Sequence, residues 1–321
     1  MKRVLSLLLS VVLLLGVSAC RQQESGFVNP VTFEDIPDED RAILAELPDG
    51  FVSADNMPEA PGVLVHDNTK AVIDYSNNAD GYVMVQYKMD SEFRLKCQVT
   101  GPDEITYTYN LTPEEWAVFP LTAGDGKYKV TVYQETKNGS GKYATVLSKT
   151  MEVVLENEFE PFLRPNQYVN YDGEPKTVEL AAELVGDLAP LDAVAAVYDW
   201  VVTNLTYDKQ KAKTVQSGYL PDLDDVLEAK QGICFDYAAL MAGMLRSQGI
   251  PCKLVVGYAG TAYHAWISVW TEETGWINNA VFFDGETWQR MAPTFASSGH
   301  QSDAIMKYIG DGSHYKECYI Y

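Results

Sequence analysis

The sequence predicts an α+β protein in which a small β-sandwich precedes a domain of helices packed on an antiparallel sheet. Between residues 61 and 156, apolar and polar residues alternate with the period of two that strands produce. From residue 177 onward, apolar residues instead recur at helical intervals, and strand-like segments return only after Pro251. Helices first and strands afterwards indicate an α+β domain with an antiparallel sheet.

The predicted β-sandwich, residues 61–156, depends on segments rich in β-branched and aromatic residues. These segments are 81–88, 93–100, 105–110, 127–134 and 143–155. Turn signals such as "GPDE", "AGDGK" and "KNGSGK" separate them, and short strands at this spacing are typical of a sandwich. No cluster of His, Cys or carboxylate residues stands out there, so we expect a spacer or a binding module.

The second domain is predicted over residues 177–321, after an irregular, proline-containing linker at 157–176. Apolar periodicity predicts its helices at 177–186, 191–205 and 222–230, followed by one that starts at Cys234 and ends near Gly249. The predicted strands are 252–258, 263–270, 275–283 and 286–291.

The N-terminus has the layout of a targeting signal. Lys2 and Arg3 precede an apolar run that ends in small residues, which is typical of a secretory signal peptide, here residues 1–19. The end "VSAC" resembles the lipobox of bacterial lipoproteins, in which the cysteine, here Cys20, is lipidated. Two acyl chains on Cys20 would anchor the protein to the outside of the cell membrane, through an acidic tether at 20–60. The alternative is a plain secretory signal with a chance cysteine.

Charge and composition limit the partners. The chain of 321 residues carries a formal net charge of −21, and 46% of its residues are hydrophobic. Such a chain folds around a core, but its surface repels the phosphates of nucleic acids. We therefore expect no nucleic-acid partner.

Two residues of the second domain have chemical potential. Cys234 begins a helix, where free N–H groups and the positive end of the helix dipole favour a thiolate. His264 opens a strand about 30 residues later, between Tyr263 and Ala265. A thiol at a helix start and an imidazole at a strand start can meet in a helix–sheet groove, where the imidazole accepts the thiol proton. The aromatic residues predicted to lie near that groove are Tyr263, Trp266, Trp276 and Trp288.

Taken together, these segments resemble the transglutaminase-like superfamily, relatives of the papain-like cysteine proteases. The resemblance covers residues 191–296 and includes "VYDWVVTNLTYD", "GICFDYAALMAGMLRSQGIPCKLVVGY", "HAWISVW" and "MAPTF". It implies that Cys234 is a nucleophile on an amide carbonyl group of a protein or cell-wall peptide and that His264 is its base. The main-chain N–H of Cys234 would be one oxyanion donor, with nearby Gln231 a candidate for the second.

One position departs from the family pattern. Where the family has Asp-Pro-Thr, this sequence has Ala292, Pro293 and Thr294, so the residue that orients the histidine is absent. In a serine triad the loss of that residue costs about 10⁴ in turnover, and a thiol should suffer less. Substitute acceptors could come from Asn278, Asn279 or Asp284. Two hypotheses follow: a thiol enzyme that hydrolyses or transfers acyl groups, and a non-catalytic protein that uses the same groove to bind a peptide or glycan.

The remaining cysteines indicate neither a metal nor a cofactor. Cys97, Cys252 and Cys318 are widely spaced, and no Cys/His cluster has the spacing of a zinc site. An extracytoplasmic location permits a disulfide, and Cys252 with Cys318 is the pair within one domain that leaves Cys234 free. We expect both to be buried thiols instead.

Overall fold

A computed structural model describes residues 57–172, 174–259, 262–272, 274–283, 288–290 and 315–321. All of them lie in one compact unit that spans Gly50–Tyr321. The predicted signal peptide, Cys20, most of the predicted tether, Asp284 and Ala292 lie outside the described residues. Within the described ranges, no helix is long and apolar enough to cross a membrane.

The first half of the described chain consists of two antiparallel sheets of four strands each. One has the order β1-β2-β3-β6, with β1 (Val65–Asp67), β2 (Ala71–Asp74), β3 (Tyr82–Tyr87) and β6 (Trp116–Pro120). The other has the order β5-β4-β7-β8, with β4 (Leu95–Thr100), β5 (Thr106–Leu111), β7 (Gly126–Glu135) and β8 (Tyr143–Val153). The predicted β-sandwich is confirmed, although the sequence did not indicate β1, β2 or β6.

The alternation in sequence explains which face of each strand is buried. In β5, Tyr107, Tyr109 and Leu111 are buried while the residues between them are exposed. β2 escaped prediction because all of its residues are buried, so it has no alternation to detect.

The second half contains the helices and a third sheet. The helices are α1 (Pro175–Val185), α2 (Pro190–Asn204), α3 (Lys211–Thr214), α4 (Leu223–Ala229) and α5 (Cys234–Ser247). A short parallel pair joins β9 (Thr206–Tyr207) to β10 (Gln231–Gly232). The antiparallel sheet has the order β14-β13-β12-β11-β15, with β11 (Cys252–Ala259), β12 (Ala262–Thr271), β13 (Gly275–Phe283), β14 (Trp288–Arg290) and β15 (Tyr315–Ile320). The predicted α+β class is confirmed.

Helix α5 is the centre of this half. From Asp236 to Ser247 every residue is buried, because β11 and β12 cover one side and α1, α2 and α4 cover the other. Small residues permit the close approach of these helices. At Gly243, a Cβ atom would lie 2.5 Å from the Cδ1 of Leu223 in α4, so a larger residue would force the Leu223 side chain to move.

The two halves pack against each other in one hydrophobic core. Tyr109 of β5 packs on Tyr168 and Tyr321, with ring centroids 5.8 and 6.1 Å away. The hydroxyl of Tyr107 accepts a hydrogen bond of 3.3 Å from the main-chain N–H of Ile320. The β-sandwich therefore supports the sheet of the second half directly.

A buried arginine ties three segments together. The guanidinium of Arg246 donates to the main-chain oxygens of Arg164, Cys252 and Tyr321 at 2.6 to 2.8 Å. Burial lowers the pKa of Arg246 to about 10, so the group stays protonated at neutral pH. Its donors join the segment after β8 to β11 and to the end of β15.

Candidate active site

Cys234 is held at the first turn of α5 by the short β9–β10 pair. Gly232 of β10 lies beside Tyr207 of β9, and Cys234 follows two residues later. The carboxylate of Asp236 accepts a hydrogen bond of 2.8 Å from the main-chain N–H of Ile233, which stabilises the helix start. The cysteine is the first residue of the helix, as the sequence predicted, and the strand before it was not predicted.

His264 lies near the start of β12 and is buried. It is paired across the ladder with Gly257 of β11, and a Cβ atom at Gly257 would lie 2.1 Å from the main-chain oxygen of Lys316. Glycine at that position thus lets β15 approach β11 closely behind the histidine. The residue after His264 contacts the nucleophile, because the main-chain N–H of Ala265 hydrogen-bonds to the Cys234 thiol.

Cys234 and His264 line one cleft of about 480 Å³. A volume of this size suits a small ligand or a segment of peptide. Its described lining is mostly aromatic and aliphatic: Tyr168, Tyr207, Ala212, Val215, Gln216, Ser217, Gly218, Tyr219, Ile233, Cys234, Phe235, Val256, Tyr263, His264, Ala265 and Tyr321. Among the side chains of these described residues there is no Asp, Glu, Lys or Arg, so the titratable groups are the thiol, the imidazole and the phenols.

The thiol of Cys234 has a raised pKa, contrary to the expectation that the helix start favours a thiolate. Burial is the main cause. Main-chain hydrogen bonds from Ala265 and Phe235 and a hydrogen bond from Tyr207 act in the opposite direction, while the negative charge of Asp236 raises the pKa further. The expectation was wrong because desolvation of the partly buried thiol, which the sequence did not indicate, outweighs the effect of the helix start.

Tyr207 is a site residue to which no sequence pattern pointed. Its hydroxyl hydrogen-bonds to the side chain of Cys234 and also to the main-chain N–H of Cys234. Burial, together with the neighbouring thiol, raises the pKa of Tyr207 to about 12, so the phenol is protonated at neutral pH. The "LTYD" segment lies within the family resemblance, but only the β9–β10 pairing brings its tyrosine to the cysteine.

The structure places the other predicted groove residues in different surroundings, and the side chain of Trp288 lies outside the described part of the chain. Gln231 is exposed and is not among the described residues that line the cleft. Tyr263 lines the cleft as predicted, but Trp266 is buried in the core. Trp276 is not among the described lining residues, and the Nζ of Lys253 lies 3.7 Å from the centroid of its ring. The predictions for Trp266 and Trp276 were wrong because both side chains lie in other layers of packing.

The third triad position stays a prediction. Ala292 and Asp284 lie outside the described residues, whereas Asn278 and Asn279 belong to β13.

The other described cysteines form no disulfide. Cys97 and Cys252 are buried thiols, and burial raises the pKa of Cys252 to about 12. Cys318 is only partly buried, which corrects the expectation that it would be buried like Cys252. Among the described residues, no group of His, Cys, Asp and Glu is arranged to hold a metal ion.

Comparison with known proteins agrees with this geometry. Residues 178–293 match the family model described as the transglutaminase-like superfamily. These residues form a transglutaminase-like domain. The match begins in α1, includes Cys234 and His264, and ends at Pro293, directly after Ala292.

Two relatives of the transglutaminase-like domain have bacterial sources. A protein-glutamine gamma-glutamyltransferase from Pseudomonas aeruginosa is 29% identical over 150 residues, which cover 41% of this chain and 22% of the relative. The uncharacterized protein YebA from Bacillus subtilis is 28% identical over 154 residues, covering 41% of this chain and 21% of that protein. The chain thus spans about a fifth of the length of either relative.

Among solved structures, red sea bream transglutaminase aligns with 71% of this chain and 53% of its own. The TM-score is 0.32 and the sequence identity is 16%.

Proposed function

We propose that this protein is a cell-surface thiol enzyme that acts on amide bonds of protein or cell-wall peptide substrates, with Cys234 as nucleophile and His264 as base. The observation that carries the proposal is that both residues line one cleft and that Ala265, next to His264, hydrogen-bonds to the Cys234 thiol. A nucleophile and a base held in one pocket are what covalent catalysis at a carbonyl group requires.

The first chemical step follows from the state of the thiol. Because burial raises the pKa of Cys234, the resting nucleophile is a neutral thiol at neutral pH. His264 accepts its proton as the sulfur attacks the amide carbonyl carbon, and the new C–S bond leaves a negative charge on the carbonyl oxygen. The main-chain N–H of Cys234 is one donor to that oxygen once it exchanges its hydrogen bond to the Tyr207 hydroxyl for one to the substrate. Tyr207, whose hydroxyl hydrogen-bonds to the same N–H and to the thiol, supplies the second donor in place of Gln231.

The second step breaks the C–N bond. The imidazolium of His264 returns its proton to the departing amine, and a thioester on Cys234 remains. Water then completes hydrolysis, or a second amine takes the acyl group and completes transfer.

The cleft supports an uncharged acyl group. Its described lining combines tyrosine and phenylalanine rings with the amide of Gln216 and the hydroxyl of Ser217. Burying a carboxylate or an ammonium group against such a surface is unfavourable without a paired charge, whereas a neutral amide needs only hydrogen bonds. Carboxamide side chains and peptide bonds fit this chemistry, and the Pseudomonas relative is named for glutamine residues.

A second function remains: a non-catalytic protein that binds a peptide or glycan in the same cleft. Ala292 favours it, because the residue that would orient His264 is absent. The aromatic lining of the cleft also suits recognition without turnover.

Release of ammonia from glutamine-containing peptides and peptide amides distinguishes the two functions. The enzyme proposal predicts release by the wild-type protein and its loss in the Cys234→Ala and His264→Ala variants. Cys318→Ala is the matched control, because Cys318 is a partly buried thiol outside the described cleft lining. Binding of the same peptides without any release of ammonia would favour the non-catalytic function.

The proposed location depends on Cys20. We propose that its lipidation anchors the protein to the outer face of the cell membrane through the tether at 20–60. A Cys20→Ala variant should then appear in the medium or in the soluble extracytoplasmic fraction. Membrane retention of that variant, equal to wild type, would contradict the anchor.

A further inference from the structure

A strap of residues 209–220, which includes α3, forms one wall of the cleft. It contributes the described lining residues Ala212, Val215, Gln216, Ser217, Gly218 and Tyr219. Every residue of the strap is exposed except Lys211 and Tyr219, which are partly buried. The strap therefore has little hydrophobic packing of its own to hold it against the rest of the domain.

Lys211 and Tyr219 both bind the same carboxylate. The ammonium group of Lys211 donates to Oδ2 of Asp236 at 2.7 Å, and the hydroxyl of Tyr219 donates to Oδ1 at 2.6 Å. Lys211 also donates to the Tyr219 hydroxyl at 2.7 Å, so the three side chains form a closed triangle. Asp236 is fully buried in α5, two residues after Cys234.

The Asp236 carboxylate binds the strap more strongly than a surface ion pair would. A fully buried carboxylate must be paired and hydrogen-bonded, and Asp236 obtains that from Lys211, Tyr219 and the main-chain N–H of Ile233. Lifting the strap would remove two of these three donors and leave a buried charge underpaired. The side chain that stabilises the start of the Cys234 helix thus also fixes the strap.

We propose that Asp236 is a positioning residue that holds the strap 209–220 as a wall of the cleft and thereby limits the size of the acyl groups that reach Cys234. The statement about acyl groups rests on the proposed function, whereas the statement about access to the thiol does not. Lys211 and Tyr219 are the two side chains through which the strap binds Asp236. Each can be substituted without changing Asp236 or its hydrogen bond to Ile233. This separates the strap from helix capping.

Alkylation of Cys234 by reagents of two sizes tests the proposal without requiring turnover. The probes are iodoacetamide and a bulky fluorescein maleimide, with modification of the Cys234 peptide quantified by mass spectrometry. The variants are Lys211→Met, which keeps the aliphatic stem, and Tyr219→Phe, which keeps the ring. Lys213→Met is the matched control, since Lys213 is an exposed lysine of the same strap that is not among the lining residues.

Loss of either side-chain contact should raise the rate of maleimide modification by about fivefold or more, because one lost hydrogen bond shifts a local opening equilibrium by about that factor. The iodoacetamide rate should stay within about twofold of wild type, because this small reagent reaches the thiol without opening of the strap. Lys213→Met should change neither rate. Maleimide rates equal to wild type in both Lys211→Met and Tyr219→Phe would overturn the proposal. Equal acceleration of both reagents would also overturn it, because that result means a more reactive thiol rather than a wider opening. Inactivity of the wild-type protein on amides would contradict the proposed function and leave these rates interpretable.

Discussion

The main-chain N–H of Ala265 hydrogen-bonds to the thiol of Cys234. Ala265 directly follows His264 in β12, and Cys234 is the first residue of α5. One hydrogen bond therefore joins the strand that carries the proposed base to the helix that carries the proposed nucleophile. Because α5 also packs on β11 and β12 along its length, the relation between the two residues is set by the core and not by a loop.

The thiol of Cys234 should be less acidic than that of an unfolded cysteine. Burial favours the neutral form, so the pKa is raised and the thiolate fraction at pH 7 is smaller than in the denatured chain. The rate of iodoacetamide alkylation against pH, read on the Cys234 peptide, should have its midpoint above that of the same peptide free in solution. A midpoint below that of the free peptide would mean a preformed thiolate and contradict activation by His264.

Tyr207→Phe should lower turnover more than it weakens binding. The substitution removes the proposed second oxyanion donor and keeps the ring, and one such donor is worth about 10²-fold in kcat. KM should change little, because the phenyl ring still lines the cleft. Tyr258→Phe is the control, since the Tyr258 side chain is 41% exposed and is not among the described lining residues. A similar loss in both variants would argue against a specific role for Tyr207.

Ala292→Asp should increase activity. The substitution restores the residue that orients histidine in the family pattern, and its loss from a serine triad costs about 10⁴. Since Cys234 begins as a neutral thiol, it depends on its base more than a thiolate would, so we expect a gain of at least about tenfold in kcat, well below that limit. Cys234→Ala in the same background must abolish the gain. If the Ala292→Asp protein is no faster than wild type, another group already orients His264.

The β-sandwich should lose stability in acid through one ion pair, in which the carboxylate of Glu135 is buried and the guanidinium of Arg94 is exposed. The guanidinium of Arg94 hydrogen-bonds to Glu135 at 2.7 and 3.0 Å and lowers the pKa of that carboxyl to about 2. A carboxyl whose folded pKa is lowered contributes stability above its unfolded pKa, and the contribution is lost as pH falls from about 4.5 towards 2. Arg94→Met should therefore lower the melting temperature at pH 7 and have a much smaller effect near pH 2.5. Lys96→Met, which changes an adjacent β4 lysine, is the control, and an equal effect of Arg94→Met at both pH values would contradict this assignment.

Much of the fold could be predicted because its signals are local. The helix from Cys234 was predicted over its whole length, since an apolar run begins at a Gly-x-Cys segment and Pro251 limits its end. The strands that alternate, such as β4 and β5, were predicted for the same reason. β15 and the two-residue strands β9 and β10 were not predicted, because their pairing partners are distant in sequence or their length gives no period.

The candidate site was likewise predictable only where its residues lie in a local sequence pattern. Cys234 and His264 stood in segments with a family pattern, whereas Tyr207 and the strap depend on contacts that only the folded chain makes. Asp236 in particular gave no signal, because a carboxylate at the third position of a helix is an ordinary surface residue in most sequences. Its burial follows from the packing of α5, and its partners lie 17 and 25 residues earlier.

The most direct test of the central claim is detection of a thioester on Cys234. The wild-type protein would be mixed with a glutamine-containing peptide, quenched in acid and digested with pepsin, and the Cys234 peptide would be analysed by mass spectrometry. We expect this peptide to gain the mass of the substrate less ammonia, and hydroxylamine to release the acyl group as a hydroxamate. Absence of the adduct across a panel of glutamine peptides and peptide amides, or an adduct on Cys318 instead, would contradict it.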